Sequence, residues 1–259
     1  MTNDAALGTA AGLPDPAELL AGSNWGSLEH ACGTAEDTPK MLVALLDGDQ
    51  QARALALDHL HHAVHHQNTL YSATVPAALY VAAVLADPRT TVAVDKKPRD
   101  FPGPLRSELL GWLGSVVCGA GDETEAISRR HGFEPEDYPP LVDTRQIRPL
   151  LFPAVSKCFD DPNPDVREAA IAACIPLLDD PRLRCHRATL VPLLREVLGV
   201  SALWQYRERA IDALLAWGED PTGLEGQREA FAVCDPQDDT MPWATGPTLK
   251  PGDTSDLPF

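Results

Sequence analysis

Basic residues, aromatic residues and long apolar runs are all scarce in this 259-residue sequence. It has 21 Lys and Arg against 38 Asp and Glu, and its formal net charge is −17. An acidic surface repels phosphate and anionic lipid, which makes nucleic acid and membranes poor partners. No apolar stretch reaches the ~20 residues that a membrane-spanning helix needs. These absences favour binding to other proteins, in particular to proteins with a basic surface.

The six cysteines include no Cys-x-x-Cys pair, so the usual zinc-ribbon and thioredoxin-like motifs are absent. Several cysteines lie in apolar helical patterns, where a free thiol packs as a small hydrophobic group. Unpaired thiols are typical of a reducing compartment. The first residues have neither the basic region nor the apolar run of a signal peptide. We therefore expect a cytoplasmic protein.

Motifs that carry catalysis are also missing. The sequence has no Gly-x-Ser-x-Gly turn, no glycine-rich phosphate loop and no His-Glu-x-x-His pattern. Paired carboxylates occur only in segments with turn and loop signals, where a solvated charge run is the default interpretation. We predict that the protein is not an enzyme and that it needs no cofactor.

What the sequence does contain is a recurring helical pattern. Four segments place an arginine in second position and an apolar residue four positions later, and these arginines are Arg53, Arg106, Arg167 and Arg207. They are 53, 61 and 40 residues apart. A period of about 40 to 47 residues, made of two helices, is typical of helical-hairpin solenoids. We predict that the arginines bond acidic turn residues such as Asp47 or Asp160 and so tie the repeats together.

This pattern resembles the HEAT repeat, including its short-period bacterial relatives. The resemblance implies an all-α fold, namely a HEAT-like α-solenoid of about four helical hairpins without any sheet. Two inserted loops, at 88–104 and 119–142, interrupt the period. We divide the chain into an N-terminal segment with a short capping helix (1–35), the repeat domain (36–218) and an acidic tail rich in proline and glycine (219–259). Little regular structure is expected in most of that tail.

Five of the eight histidines lie between positions 59 and 66. His61 and His65 are four residues apart, as are His62 and His66, a spacing at which two imidazoles on a helix can share a metal ion. A metal centre would need further ligands from elsewhere, such as Glu29 or His30. We therefore predict no metal site, and we interpret these histidines as facing solvent or a partner.

Alignment of the helix that carries these histidines with the repeat predicts which of its side chains are buried. We expect Leu55 and His59 to face inward, whereas Arg53 and His65 face outward or along a groove. The acidic insertion at 119–142 adds two aromatic residues, and aromatic anchors dominate many protein interfaces.

A second resemblance is local and concerns residues 25–33, 37–39 and 66–71. These segments look like parts of bacterial HEAT-repeat proteins, some of which act as immunity proteins that neutralise secreted toxins. The resemblance implies a class and assigns no contact residue.

We therefore predict a non-catalytic scaffold, monomeric before complex formation, of the immunity type, which binds and occludes a basic partner such as a toxin domain. Solenoids bind through a concave surface made of their second helices. The predicted partner-binding residues are Asp58, His61, His62, His65, Glu108, Phe133, Glu134, Glu136, Asp137, Tyr138, Glu168 and Glu208. Two alternatives remain open, an assembly or regulatory adaptor without a toxin and a HEAT-like metal-dependent or DNA-repair enzyme.

Overall fold

The computed structural model describes residues 12–94 and 103–224. These residues are predominantly helical, which confirms the all-α class. The α-helices are α1 (Pro16–Gly22), α2 (Thr38–Ala44), α3 (Gln50–His59), α4 (Thr74–Val84), α5 (Leu105–Cys118), α6 (Asp122–Arg130), α7 (Pro139–Ser156), α8 (Pro164–Leu177), α9 (Arg187–Glu196) and α10 (Trp204–Ala216). None of the helices described here combines the length and the apolar character needed to cross a membrane.

The helices begin where the sequence places capping side chains. Asp15 caps the predicted short helix α1 by accepting a hydrogen bond from the Ala17 amide at 2.8 Å. Asp49 and Asn163 cap α3 and α8 by accepting from amides of the first turn. Such caps satisfy backbone donors that have no partner within the helix. α7 begins at Pro139, because proline fits the first turn of a helix.

Two short antiparallel ladders contradict the expectation that the chain contains no sheet. β1 (Glu29–His30) pairs with β2 (Gly33–Thr34), and β3 (Ala93–Val94) pairs with β4 (Gly103–Pro104). The first ladder closes a two-residue turn, and Gly33 directly after the turn has a φ of 121°, a conformation that only glycine adopts without strain. Ladders this short leave no periodic signal in a sequence, which explains why they were missed.

The helices form consecutive pairs, α2 with α3, α4 with α5, α7 with α8 and α9 with α10. In addition, α4 packs against α7, and α5 packs closely against α8. The α5–α8 approach depends on small residues, since a Cβ atom added at Gly114 would lie 3.1 Å from the Ala173 Cα. One core runs through these layers, and its largest fully buried side chain is Trp112.

The repeated arginines do form bonds at the turns, although mostly not to the acidic side chains that were predicted. Arg53 and Arg167 donate to backbone carbonyls of the turns that precede their own helices, not to carboxylates. Arg106 does bond an acidic turn residue, because its Nη1 lies 2.6 Å from Asp161 Oδ2. Arg207 lies over the Trp204 ring, 5.5 Å from its centroid.

The inserted segments are described in part. In the second insertion, α6 confirms the predicted short helix near residues 123–131, and a 3₁₀ turn (Pro135–Asp137) follows it. The basic residues Lys96, Lys97 and Arg99 of the first insertion lie outside the described residues. So does nearly all of the tail, including the helix predicted at 224–234 and the aromatic Trp243.

Candidate functional site

The histidine segment does not continue α3 as an α-helix. Leu60–Val64 form one π-helical turn, closed by a hydrogen bond of 3.0 Å from the His65 amide to the Leu60 carbonyl. A π-helical turn holds one residue more than an α-helical turn, so every later side chain is rotated around the axis. The predicted pairing of His61 with His65 on one helical face is therefore not formed.

His65 faces the core, and the expectation that it contacts a partner is wrong. It is only 4% exposed. Its Nδ1 lies 3.1 Å from the Thr69 carbonyl, its Nε2 lies 3.1 Å from Ser115 Oγ, and its ring meets Trp112 edge-on. Burial lowers the pKa of His65 below its ordinary value, despite the two hydrogen bonds. The ring is thus a neutral structural group that joins the end of this segment to α5.

The predicted register of α3 is also wrong at its start. Arg53 is 9% exposed and Leu55 is 53% exposed, the reverse of the expectation. The buried residues Arg53, Ala56, Leu57 and Leu60 follow helical spacing, and Leu55 lies off that stripe. Burial of Arg53 is possible because its guanidinium reaches the carbonyls of the preceding turn. Asp58 and His62 are exposed, as expected, and His61 is half-buried.

A second histidine cluster joins β1 to the start of α2 and the end of α3. His30 Nε2 lies 2.9 Å from Asp37 Oδ1, and His59 Nδ1 lies 4.0 Å from Asp37 Oδ2. His59 Nε2 is also 2.9 Å from Thr38 Oγ1, and the two imidazoles meet edge-on at 5.3 Å. One ligand atom from each of His30, Asp37 and His59 lies within 4.8 Å of the others, so these residues form a candidate metal-binding set. His30 was predicted as a candidate metal ligand, but no motif in the sequence marks Asp37 as one.

The hydrogen bonds of His30 disfavour a metal ion at this set. The Cys32 amide donates to His30 Nδ1 at 3.1 Å, so the neutral ring carries its proton on Nε2 and donates it to Asp37. A protonated ring nitrogen has no lone pair for a metal ion. Partial burial opposes ionisation of Asp37, but the His30 bond and nearby His59 hold its pKa below the ordinary value. The cluster therefore serves as a hydrogen-bonded clasp between three elements.

The first part of the chain carries concentrated negative charge. Residues 12–94 contain nine acidic and three basic residues, and one of the three, Arg53, is buried against carbonyls. Exposed carboxylates that no described basic side chain pairs within 4.0 Å include Glu29, Glu36 and Asp58. We call residues 29–58 the acidic hairpin, and its excess charge is available to a basic surface.

Several carboxylates of the acidic insertion are paired with an arginine of the same insertion. Arg129 binds Glu134 at 2.6 Å, Glu136 at 2.7 Å and Glu125 at 2.8 Å. Glu134 and Glu136 therefore stabilise the insertion itself, and their charge is partly neutralised. Asp137 is exposed, and the structure shows no ion pair for it among the described residues.

The two aromatic residues of the insertion have different environments. Phe133 is 69% exposed, as expected of an aromatic anchor for a partner. Tyr138 is 41% exposed, but its hydroxyl donates to the Leu70 carbonyl, which fixes the insertion to the loop before α4. Phe133 is thus the better candidate for a contact that a partner completes.

The three glutamates of the second helices that were predicted to bind a partner differ in their exposure and bonding. Glu168 accepts a hydrogen bond from Ser201 Oγ at 2.6 Å, which ties α8 to the turn before α10. Glu108 is half-buried, and Glu208 is exposed. Glu208 on α10 is therefore the most accessible of the three.

No protein-family profile, no curated protein and no solved structure gives a significant match to this chain.

Proposed function

We propose that this chain is a HEAT-like helical scaffold that binds a basic protein and carries out no chemistry of its own. In its sharpest form, the proposal is an acidic, cytoplasmic immunity-type protein that occludes a toxin domain. The observation that carries it is the acidic hairpin, in which the exposed carboxylates of Glu29, Glu36 and Asp58 lack basic partners within the described residues.

The packing of the helices supports the scaffold part of the proposal. Two successive pairs stack so that α4 lies on α7 and α5 lies on α8, which is the arrangement expected of neighbouring helical repeats. The turns repeat as well, since Asp87 and Asp180 each bind the arginine two positions later through both oxygens at 3.0 and 2.7 Å. The same pair of hydrogen bonds in these two turns favours a structure built from repeated units.

Charge supports the choice of partner. The described residues carry 28 acidic and 16 basic residues, and several of the arginines are held by carboxylates or carbonyls of the chain itself. Such a surface attracts a cationic protein and accelerates the encounter with it. Exposed Phe133 adds an apolar group that a partner pocket can bury.

The test is capture of a partner followed by a titration. We would immobilise the full chain, identify proteins retained from its native cell by mass spectrometry, and purify the complex. A basic partner whose toxic activity is inhibited at one equivalent of this chain supports the immunity form. A basic partner without such activity supports the adaptor alternative, and an acidic partner would refute both.

A further inference from the structure

A cleft of about 500 Å³ lies beside the start of α7, away from the acidic hairpin in sequence. Its walls come from the start of α6, the 3₁₀ turn Pro135–Asp137, residues 141–148 of α7 and the loop after α8. Leu141, Val142 and Pro181 give it apolar surface. This size is within the range of small-molecule sites, which are mostly apolar with a few placed polar groups.

Arg148 lines this cleft and is the most deeply buried of the described arginines whose Nε has no hydrogen-bond partner. The residue is 3% exposed. Its Nη2 donates to the Ala120 carbonyl at 2.5 Å, but its buried Nε has no hydrogen-bond partner within the described part of the chain. No described carboxylate lies within 4.0 Å of its guanidinium, although a buried charge is normally paired. Burial accordingly lowers the pKa of Arg148.

The three other arginines of the cleft already have partners, and the exposed Arg184 donates to the Asp179 carbonyl at 3.3 Å. Arg145 pairs with Glu125 and donates to the carbonyls of Ala120 and Gly121. Arg182 places both of its nitrogens on the Asp180 carboxylate, at 3.0 and 2.7 Å. Arg148 is therefore the buried cation whose charge a bound group could still neutralise.

Asp179 supplies a carboxylate to the same cleft. It is half-buried and accepts from the Asp122 amide at 3.3 Å. Burial raises the pKa of Asp179, in spite of the nearby Arg148 and Arg187. Arg148 and Asp179 thus line one space without forming an ion pair, since their charged atoms are more than 4.0 Å apart.

These two groups restrict the charge of a suitable ligand. A simple anion would pair with Arg148 but would meet the carboxylates of Asp179 and Asp122. A simple cation would pair with Asp179 and leave Arg148 uncompensated. A molecule that carries both charges satisfies both groups at once.

We propose that the cleft between α7 and the loop after α8 binds a small zwitterion, an amino acid or short peptide, with its carboxylate on Arg148 and its ammonium group on Asp179. The side chain of the ligand packs against Leu141, Val142 and Pro181. An α-amino acid is the smallest ligand of this class.

The experiment is calorimetric titration of the full chain with the common amino acids and with dipeptides. For each ligand that binds, we would also titrate its N-acetylated and its decarboxylated analogue. We expect at least one zwitterion to bind, and both analogues to bind at least about tenfold more weakly, because each leaves one charge of the cleft unpaired.

Variants of the chain complete the test. Arg148→Lys removes the planar fork and Asp179→Asn removes the carboxylate, and each is expected to weaken binding at least about tenfold. Arg130→Lys, on the exposed side of α6, is the control that leaves binding unchanged. Circular dichroism would show that each variant is folded, and Asp179→Asn suffices should Arg148→Lys fail to fold.

Three results would overturn the proposal. One is that no amino acid or dipeptide binds to the unmodified chain. Another is that acetate or phosphate binds as tightly as the zwitterions, which would make the cleft a plain anion site. The third is that neither Arg148→Lys nor Asp179→Asn changes the affinity.

Discussion

Arg53 and Arg167 make the same pair of hydrogen bonds in two different helix pairs. Each is the fourth residue after the cap of its helix, and each donates through Nη1 to the carbonyl oxygens six and five residues before it. The distances are 2.6 and 2.9 Å for Arg53 and 2.8 and 3.1 Å for Arg167. The arginine spacing in the sequence thus corresponds to a repeated turn.

This turn predicts that Arg53→Met destabilises the fold. The substitution keeps the length of the buried stem but leaves the Asp47 and Gly48 carbonyls without their charged donor. We expect a loss of about 2 kcal/mol in the free energy of unfolding, measured by chemical denaturation. Arg130→Met, at an exposed position of α6, should change it by less than about 0.5 kcal/mol. Equal midpoints for the two variants would show that the turn does not depend on this arginine.

The close approach of α5 and α8 gives a matched pair of glycine substitutions on one helix. A Cβ at Gly114 would lie 3.1 and 3.2 Å from the Cα and Cβ of Ala173, whereas a Cβ at Gly111 meets nothing within 4 Å. Gly114→Ala should therefore destabilise the fold by about 1–3 kcal/mol through overpacking. Gly111→Ala should stabilise it by about 0.5–1 kcal/mol, because alanine favours a helix. Thermal unfolding would compare them, and the same sign of change in both would show that α5 and α8 are not in contact as described.

The sequence predicted the elements of this fold better than the directions of its side chains. Helix positions follow from apolar spacing and from caps such as Asp15 and Asn163, which are local signals. The one-residue shift of the π-helical turn is not visible in spacing, and it is the reason that His65 was predicted on the surface. Arg53 was predicted outside from the alignment of its helix with the repeat, and that alignment could not show that its guanidinium is buried against backbone carbonyls.

The sequence predicted the acidic character of the candidate site but not which of its residues are paired within the fold. The excess of acidic residues led to the prediction of a basic partner, but it could not separate free carboxylates from paired ones. Glu134 and Glu136 meet Arg129 only after the insertion folds, and Glu168 meets Ser201 from a different helix pair. The clasp of His30, Asp37 and His59 joins three elements, so that no local pattern could reveal it.

The burial of His65 predicts a pH dependence of stability. Its pKa in the folded chain is lowered from the ordinary value of 6.5, so the unfolded chain binds a proton first as the pH falls. Stability is therefore unaffected by this residue above about pH 6.5 and is lost as the pH falls below it. The lowered pKa of His59 acts in the same direction.

A substitution isolates the contribution of His65. His65→Gln should flatten part of the slope of the unfolding free energy between about pH 6.5 and pH 5, measured by denaturation at a series of pH values. His62→Gln, at an exposed position of the same segment, should leave the slope as it is. Identical slopes in the two variants would mean that His65 does not stay neutral in the fold.

The protonation of His30 predicts weak metal binding. After dialysis, the tag-free chain should hold less than one equivalent of zinc, nickel or iron by elemental analysis, since the His30 lone pair is taken by the Cys32 amide. His59→Ala and His62→Ala provide the comparison between the clasp and the exposed histidines. A stoichiometric metal that His59→Ala abolishes and His62→Ala preserves would show that the clasp opens to bind an ion.

The last prediction concerns the rate at which a basic partner binds. The acidic hairpin should attract a cationic surface over several ångströms of solvent, so salt should slow association by screening the approach. Lysine substitutions must avoid acidic residues that hold the fold together, which excludes Glu134, Glu136 and Glu168. The double variant Glu29→Lys and Asp58→Lys changes exposed charges of the acidic hairpin, and Glu196→Lys on α9 is the control for charge elsewhere.

We expect the double variant to slow association with the captured partner by roughly tenfold at low salt, in line with electrostatic steering, and the control to slow it much less. At high salt the three proteins should associate at similar rates, because the charges are then screened. Phe133→Ala should instead raise the dissociation rate, because its contact forms only in the complex. Association kinetics across a salt series would measure all of these effects. Rates that are indifferent to both salt and the double substitution would refute electrostatic recognition and leave a neutral adaptor surface as the better account.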